Sequence, residues 1–208
     1  MKLKSLTLGV NRPAAQHVAA VAVPDDITGT TCHFCGLTAG LHGMRIGQSI
    51  SCVLCGVAQS LHRTMIDEEV RLIWLPEMSQ PALNVLVRQI HIDLQVLGES
   101  VVCGDNPSHP GGMRTALYTA QRILRERSDA IVEKLGSSRA SDLADALTVL
   151  SNRHVDVRNL PWGGLRAFPT GRFFVGGLNV YDEIVASWRG VPADTSAAEF
   201  PNQVKEVA

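Results

Sequence analysis

Cys32-His33-Phe34-Cys35-Gly36 and, with sixteen residues between the pairs, Cys52-Val53-Leu54-Cys55-Gly56 decide how this chain is read. Zinc in a structural site takes four thiolate or imidazole ligands in a tetrahedron, and a two-residue gap lets one turn present both sulfurs to one ion. Two such turns close the shell, so Cys32, Cys35, Cys52 and Cys55 are expected to hold one zinc ion. A closed four-thiolate shell leaves no position for water, which makes the ion structural and not a Lewis-acid catalyst. Gly36 and Gly56 each follow the second cysteine of a pair, where a tight knuckle needs positive φ. The two pairs are therefore expected to form matching turns. A thioredoxin-like redox reading uses one pair and leaves the other unexplained.

The rest of the composition agrees with a metal-containing globular protein. The 208 residues are 45% hydrophobic and 19% charged, too apolar for a disordered chain, and suffice for one body with a subdivided interior. The formal charge of −1 gives no global attraction to phosphate backbones or anionic lipid, so direct nucleic-acid binding is not expected. No apolar run reaches the ~18 residues of a membrane helix, and Met1-Lys2-Leu3-Lys4 lacks the apolar stretch of a signal peptide. A cytoplasmic location follows as the expectation. That compartment keeps thiols reduced, which favours metal over disulfides for paired cysteines. Cys103, with no His or Arg beside it, reads as a small buried hydrophobe.

Outward from the cysteines, weak alternation at Leu6, Leu8, Val10, Val21 and Val23 suggests two short strands around the Asn11-Arg12-Pro13 turn. The apolar run 70–75 reads as a strand ended by Pro76. Ser79 is an N-cap with Pro81 in the first turn, and Leu83, Leu86, Val87, Ile90, Leu94 and Leu97 follow at helical spacing up to Gly98. A second helix is expected over 113–135, ending at Gly136, and a third from a Ser141 cap through Leu143, Ala146, Leu147 and Leu150. Glycine-rich turns over 161–177 and a short helix near 182–188 complete the pattern. The fold class expected is α+β: a small four-cysteine front half with short strands, packed with a mainly helical C-terminal half. The expected division is a zinc-knuckle region at 1–103, a breaker-rich linker at 104–112, a helical region at 113–188 and a disordered tail at 189–208.

Two Cys-x-x-Cys knuckles also frame some HNH nucleases, which need a histidine base and ligands for a second, catalytic metal. Residues 36–51 contain no Asp, Glu or Asn, leaving His42 and His62 as base candidates and Asp67-Glu68-Glu69 as a run read as a solvated turn. Arg114, Arg122, Arg125 and Arg127 offer a conceivable nucleic-acid face, but Asp129 and Glu133 follow and no aromatic residues interleave. Trp74, Trp162, Trp188, Phe168, Phe173 and Phe174 read mostly as core, with Trp162 and Phe168 the candidate anchors for a partner.

Three stretches carry a resemblance to a known family. They are Thr31-Cys32-His33-Phe34-Cys35-Gly36, Ser51-Cys52-Val53-Leu54-Cys55, and Leu72-Ile73-Trp74-Leu75-Pro76-Glu77-Met78-Ser79-Gln80 running into Leu83-Asn84. Gly164-Leu165-Arg166-Ala167-Phe168-Pro169 is similar more faintly. Over about residues 30–188 the chain resembles the DotN (IcmJ) zinc proteins of type IVB secretion systems, with a shorter spacer between the cysteine pairs. The resemblance implies an HNH-derived, treble-clef-like knuckle without nuclease residues. It also implies a non-enzymatic adaptor subunit of the coupling complex that binds the C-terminal extension of a DotL-like coupling ATPase. Such a subunit helps recruit substrates for export and sits at the cytoplasmic side of the inner membrane through its partners. The rivals are an HNH-like metal-dependent nuclease and a zinc-ribbon nucleic-acid binder.

Overall fold

Residues 3–10, 27–109, 111–153 and 163–190 are described by a computed structural model of the protein. The first segment lies along the cysteine region: Lys4 N–H donates to the His33 carbonyl (2.8 Å) and Gly9 N–H to the Ala58 carbonyl (3.2 Å). Only Val10 makes a β-bridge, to Ser60, so the strand expected at 6–10 is not formed. Its partners are a knuckle and a helix end, neither of which offers a regular row of donors and acceptors. Val21, Val23 and the Asn11-Arg12-Pro13 turn fall outside the described residues.

After the first cysteine pair, β1 (Met44–Ile46) and β2 (Ser49–Ser51) form an antiparallel hairpin that delivers Cys52 to the start of α1 (Val53–Gln59). Every residue of α1 is buried. The chain continues through α2 (Ile66–Glu69) and β3 (Val70–Trp74) into α3 (Gln80–Val96). Ser79 caps α3 as expected, its Oγ accepting from Ala82 N–H (3.3 Å), and Gly98 leaves the helix at φ 71°.

Leu83, Val87, Ile90 and Leu94 are buried on α3, but Leu86 is 38% exposed. At about 100° per residue the buried arc runs from Ile90 and Leu83 round to Gln80, His91, Asn84 and Arg88, all four also buried. The inward face is shifted toward these polar residues, and Leu86 lies beyond its other edge.

The single helix expected over 113–135 is two, α4 (Gly112–Glu126) and α5 (Asp129–Leu135). In a continuous helix the Arg127 carbonyl would bond the Ile131 N–H. Here it accepts from Trp74 N–H (3.2 Å), while Ile131 N–H turns to Ser128 (3.0 Å). The left-handed Gly136 (φ 81°) ends α5 as expected. Next, α6 (Ala140–Asn152) is capped at Arg139, and Ser141 sits inside its first turn. The range 161–177, expected as turns, contains β4 (Leu165–Pro169) and β5 (Phe174–Val175), followed by β6 (Leu178–Asn179) and α7 (Tyr181–Trp188). Three two-stranded antiparallel sheets and seven helices among the described residues make the fold α+β.

The β3–β4 ladder, Val70 opposite Pro169 through Trp74 opposite Leu165, joins the two sides of the 104–112 linker. It also explains the subdivided interior. Successive side chains point to opposite faces, so Val70, Leu72, Leu165 and Ala167 enter the large core around the cysteines. Ile73, Leu75 and Phe168 enter a smaller one with Leu83, Val87 and Leu124. The break at Arg127 serves both, sending Leu124 to the small core and Ile131 to the large one. Cys103 packs on the small core, and burial pushes its thiol up. Among the described residues no helix is long and apolar enough to cross a membrane.

Candidate metal centre

The first cysteine pair sits on a knuckle closed by the Thr31–Thr38 bridge, with Cys32 N–H bonded to the Leu37 carbonyl (2.8 Å). Gly36 N–H returns to the Cys32 carbonyl (3.0 Å) at φ 77°, the left-handed turn expected of it. The second pair is built differently. Cys52 is the N-cap of α1 and Cys55 lies in its first turn, so Gly56 N–H donates to the Cys52 carbonyl (2.8 Å) as an ordinary helical bond. Gly56 is thus helical, and the two pairs do not form the matching turns expected of them. Its lack of a side chain admits Met44, whose sulfur lies 2.6 Å from where a Cβ would stand. The hairpin locks the two pairs together through His33 N–H to the Ile50 carbonyl (2.9 Å).

The four Sγ atoms lie within 4.8 Å of one another, and Cys35 Sγ is 3.8 Å from Cys52 Sγ. A disulfide needs about 2.05 Å, and all five cysteines are free. Sulfurs bound at ~2.3 Å around one tetrahedral ion stand ~3.8 Å apart, so the donor set fits a four-coordinate metal. Cys32, Cys52 and Cys55 are fully buried, and Cys35 is half-buried. Thiols this close cannot share negative charge comfortably: contact with Cys32 and then Cys35 pushes the Cys55 thiol up, while contact with Cys35 holds the Cys32 thiol down. A cation among them removes the conflict, because all four can then be thiolates.

Helix α3 supplies polar contacts that sequence reasoning missed. Asn84 Nδ2 donates to Cys55 Sγ (3.3 Å), and Gln80 Nε2 donates to Asn84 Oδ1 (2.9 Å). Arg88 Nη1 donates to the Thr38 carbonyl (2.6 Å), and its guanidinium lies 4.6 Å from the Trp188 ring centre. The available signal was the polar series 80, 84, 88, running beside the apolar stripe at a spacing of four.

Protein-family models give no match to the chain. Curated proteins give none either.

The remaining candidates are dispersed. His42 is half-buried at the end of the cysteine loop, its ring 6.2 Å from that of Phe173, and burial pushes its pKa down. It is also the one non-glycine residue of positive φ (55°) among the described residues. His62 lies apart, Nε2 3.4 Å from Thr148 Oγ1. The acidic run is not a solvated turn: Glu69 is buried against Arg63 (2.6 Å), Asp67 binds Arg139 and Ser141, and Glu68 pairs with Arg172 (2.6 Å). The α4 arginines do not form one free face, since Arg114 pairs with Glu99 (2.7 Å) and Arg122 with Glu126 (3.5 Å). Arg127, just past the helix, pairs with Glu77 (2.5 Å). Phe168 is fully buried and cannot be a surface anchor, and Trp162 is outside the described residues.

Proposed function

We propose that the protein is a non-enzymatic, zinc-stabilised adaptor of a type IVB secretion coupling complex, similar to the DotN (IcmJ) proteins. Zinc is the ion that four thiolates in a tetrahedron suit best, and this shell is complete without water or substrate. The succession of a knuckle, a hairpin, and a helix whose N-cap and first turn carry Cys52 and Cys55 supports a treble-clef-like frame of the kind found in some HNH nucleases. The observation that carries the adaptor reading is the chemistry around that frame. The loop and hairpin at 36–51 and all of α1 contain no Asp, Glu or Asn, and His42 is the sole histidine there. A second, catalytic metal would have too few ligands.

The partner is the C-terminal extension of a DotL-like coupling ATPase, through which this protein reaches the cytoplasmic face of the inner membrane and helps gather substrates. Apolar side chains open to solvent on α4 and α5, namely Met113, Ile123, Val132 and Leu135, suit a segment that folds on binding. The test is calorimetry of the zinc-loaded protein with that extension. Association at micromolar concentration that weakens on Ile123→Asp supports the reading, and no association in moderate salt removes it.

The nuclease reading keeps one observation in its favour, the histidine held at positive φ two residues before β1, since strained backbone gathers at active sites. Incubation of plasmid DNA with Mg²⁺, Mn²⁺ or Ni²⁺ separates the two. Cleavage abolished by His42→Ala would replace the adaptor with an enzyme.

A further inference from the structure

Gln80, Asn84 and Arg88 lie on one side of α3, at 4%, 1% and 6% exposure. A guanidinium so buried is costly unless an anion answers it. Among the described residues no carboxylate pairs with Arg88; its contacts are the Thr38 carbonyl and the Trp188 ring. The cysteine cluster lies next to the segment that Arg88 holds, since Thr38, whose carbonyl it bonds, closes the knuckle that carries Cys32 and Cys35. The cluster has the complementary need. A divalent ion with four thiolates carries net negative charge in a site that water hardly reaches, and the neighbouring groups must offset it. Burial pushes the Arg88 guanidinium down, and the charges of Cys52, Cys35 and Cys32 push it back up, in keeping with this pairing.

Asn84 adds a directed contact. Gln80 bonds β4 from both ends of its amide, Nε2 to the Ala167 carbonyl and Oε1 from Ala167 N–H (both 2.8 Å). Thus fixed, its Nε2 also occupies Asn84 Oδ1 (2.9 Å), which leaves Asn84 Nδ2 aimed at Cys55 Sγ. Strand, glutamine, asparagine and sulfur form one chain of hydrogen bonds.

We propose that Arg88 and Asn84 are the charge-compensating backing of the metal–thiolate centre, with Gln80 the positioning residue that holds the Asn84 amide toward Cys55. The proposal rests on the zinc-loaded reading given above. Its effect is to retain the ion and damp the reactivity of the buried sulfurs.

The experiment follows transfer of zinc from the full-length protein to excess chelator, together with the thiolate-to-metal charge-transfer band after replacement by Co²⁺. Arg88→Met is expected to lose zinc about 10–100-fold faster, and Arg88→Lys to recover most of the difference. Asn84→Leu removes the hydrogen bond at similar volume and is expected to move the Co²⁺ band to longer wavelength, since the sulfur lone pairs rise in energy. Gln80→Leu should move it the same way by less. A role in packing alone would lower melting temperature without moving the band. Unchanged zinc transfer in Arg88→Met with an unmoved band in Asn84→Leu overturns the proposal. Should either variant fail to fold, Gln80→Leu and Arg88→Lys decide it: an unmoved band in the first and zinc loss in the second about 10-fold or more faster than from the wild type would sink it. Wild-type protein that takes up neither Zn²⁺ nor Co²⁺ would instead defeat the metal reading itself, and this proposal with it.

Discussion

Glu69 and Arg63 meet in a two-point ion pair, Oε2 to Nε at 2.6 Å and Oε1 to Nη2 at 2.8 Å, with Glu69 only 1% exposed. The same pair holds β5, since Arg63 donates to the Phe174 carbonyl (2.9 Å) and Glu69 accepts from Phe174 N–H (2.9 Å). Arg63 also lies 4.2 Å from the Phe173 ring centre. Removing one partner strands a buried charge and a backbone donor together. Glu69→Ala is therefore expected to cost about 3–5 kcal/mol in urea unfolding. A loss below about 1 kcal/mol, the worth of a surface pair, would contradict this account.

Cys52→Ser is expected to abolish both metal content and cooperative melting. Structural zinc contributes roughly 10–16 kcal/mol of apparent binding energy, which is comparable to the roughly 5–15 kcal/mol of a domain's whole stability. Cys35 stands at the half-buried corner, where water can occupy the vacated position, so Cys35→Ser should be the milder variant. Elemental analysis beside calorimetric melting checks both; a Cys52→Ser protein that keeps its ion and its melting temperature removes Cys52 from the ligand set.

Asp67 caps a helix it does not belong to. Its carboxylate accepts from Ser141 N–H (2.9 Å) and Ser141 Oγ (2.6 Å), and from Arg139 (2.8 Å), at the start of α6. Burial raises its pKa, but the Ser141 and Arg139 bonds outweigh that and leave it lowered. Asp67→Ala is expected to cost about 1–2 kcal/mol, or several degrees in melting temperature. Ser141→Ala leaves the backbone bond intact and should cost less. The reverse order in thermal melts would restore Ser141 as the cap.

His91 is fully buried on α3 with Nδ1 2.8 Å from the Tyr181 hydroxyl, and burial pushes its pKa down to about 3. An unfolded histidine titrates near 6.5, so between these values the unfolded chain binds a proton that the folded one refuses. The stability held by neutral His91 is therefore complete above about pH 6.5 and is lost as pH falls toward 3, with a slope on the order of 1 kcal/mol per pH unit. His91→Phe cannot titrate. The stability difference between wild type and His91→Phe should shift in favour of the variant between about pH 7.5 and 5, whatever acid does to the metal in both. A difference independent of pH would refute the assignment.

Gly171 has φ 84°, and a Cβ there would stand 2.2 Å from the Val101 carbonyl oxygen. Neither the strand end nor Val101 can retreat cheaply, so Gly171→Ala is expected to cost more than about 3 kcal/mol. Gly176 (φ 57°) has open space around it, so Gly176→Ala meets only the backbone penalty of about 1–2 kcal/mol. Equal unfolding midpoints for the two would mean that the contact, unlike the conformation, carries no weight.

The sequence alone determined what local chemistry governs. Two Cys-x-x-Cys pairs name four sulfurs for one site; Ser79, the apolar series from Leu83 and Gly98 delimit α3; Gly136 ends α5. Each is a choice made within a few residues by capping, periodicity or ligand spacing. Tertiary structure decided what depends on a partner distant in the chain. The Leu165–Pro169 strand exists because β3 offers it a ladder, and the break at Arg127 exists because Trp74 takes the carbonyl that would have continued the helix. Asp67-Glu68-Glu69 reads as a solvated turn until Arg63, Ser141 and Arg172 arrive from elsewhere. Gly56 and Gly36 follow identical spacings yet differ, because one continues into a helix fed by the hairpin and the other closes a knuckle. Gln80, Asn84 and Arg88 look like the solvent side of an amphipathic helix, since periodicity reveals which residues share a face but not what that face meets. Folding set that face beside the cysteine cluster, with Asn84 on Cys55 Sγ, where a buried amide and a buried cation have electrostatic reason to be.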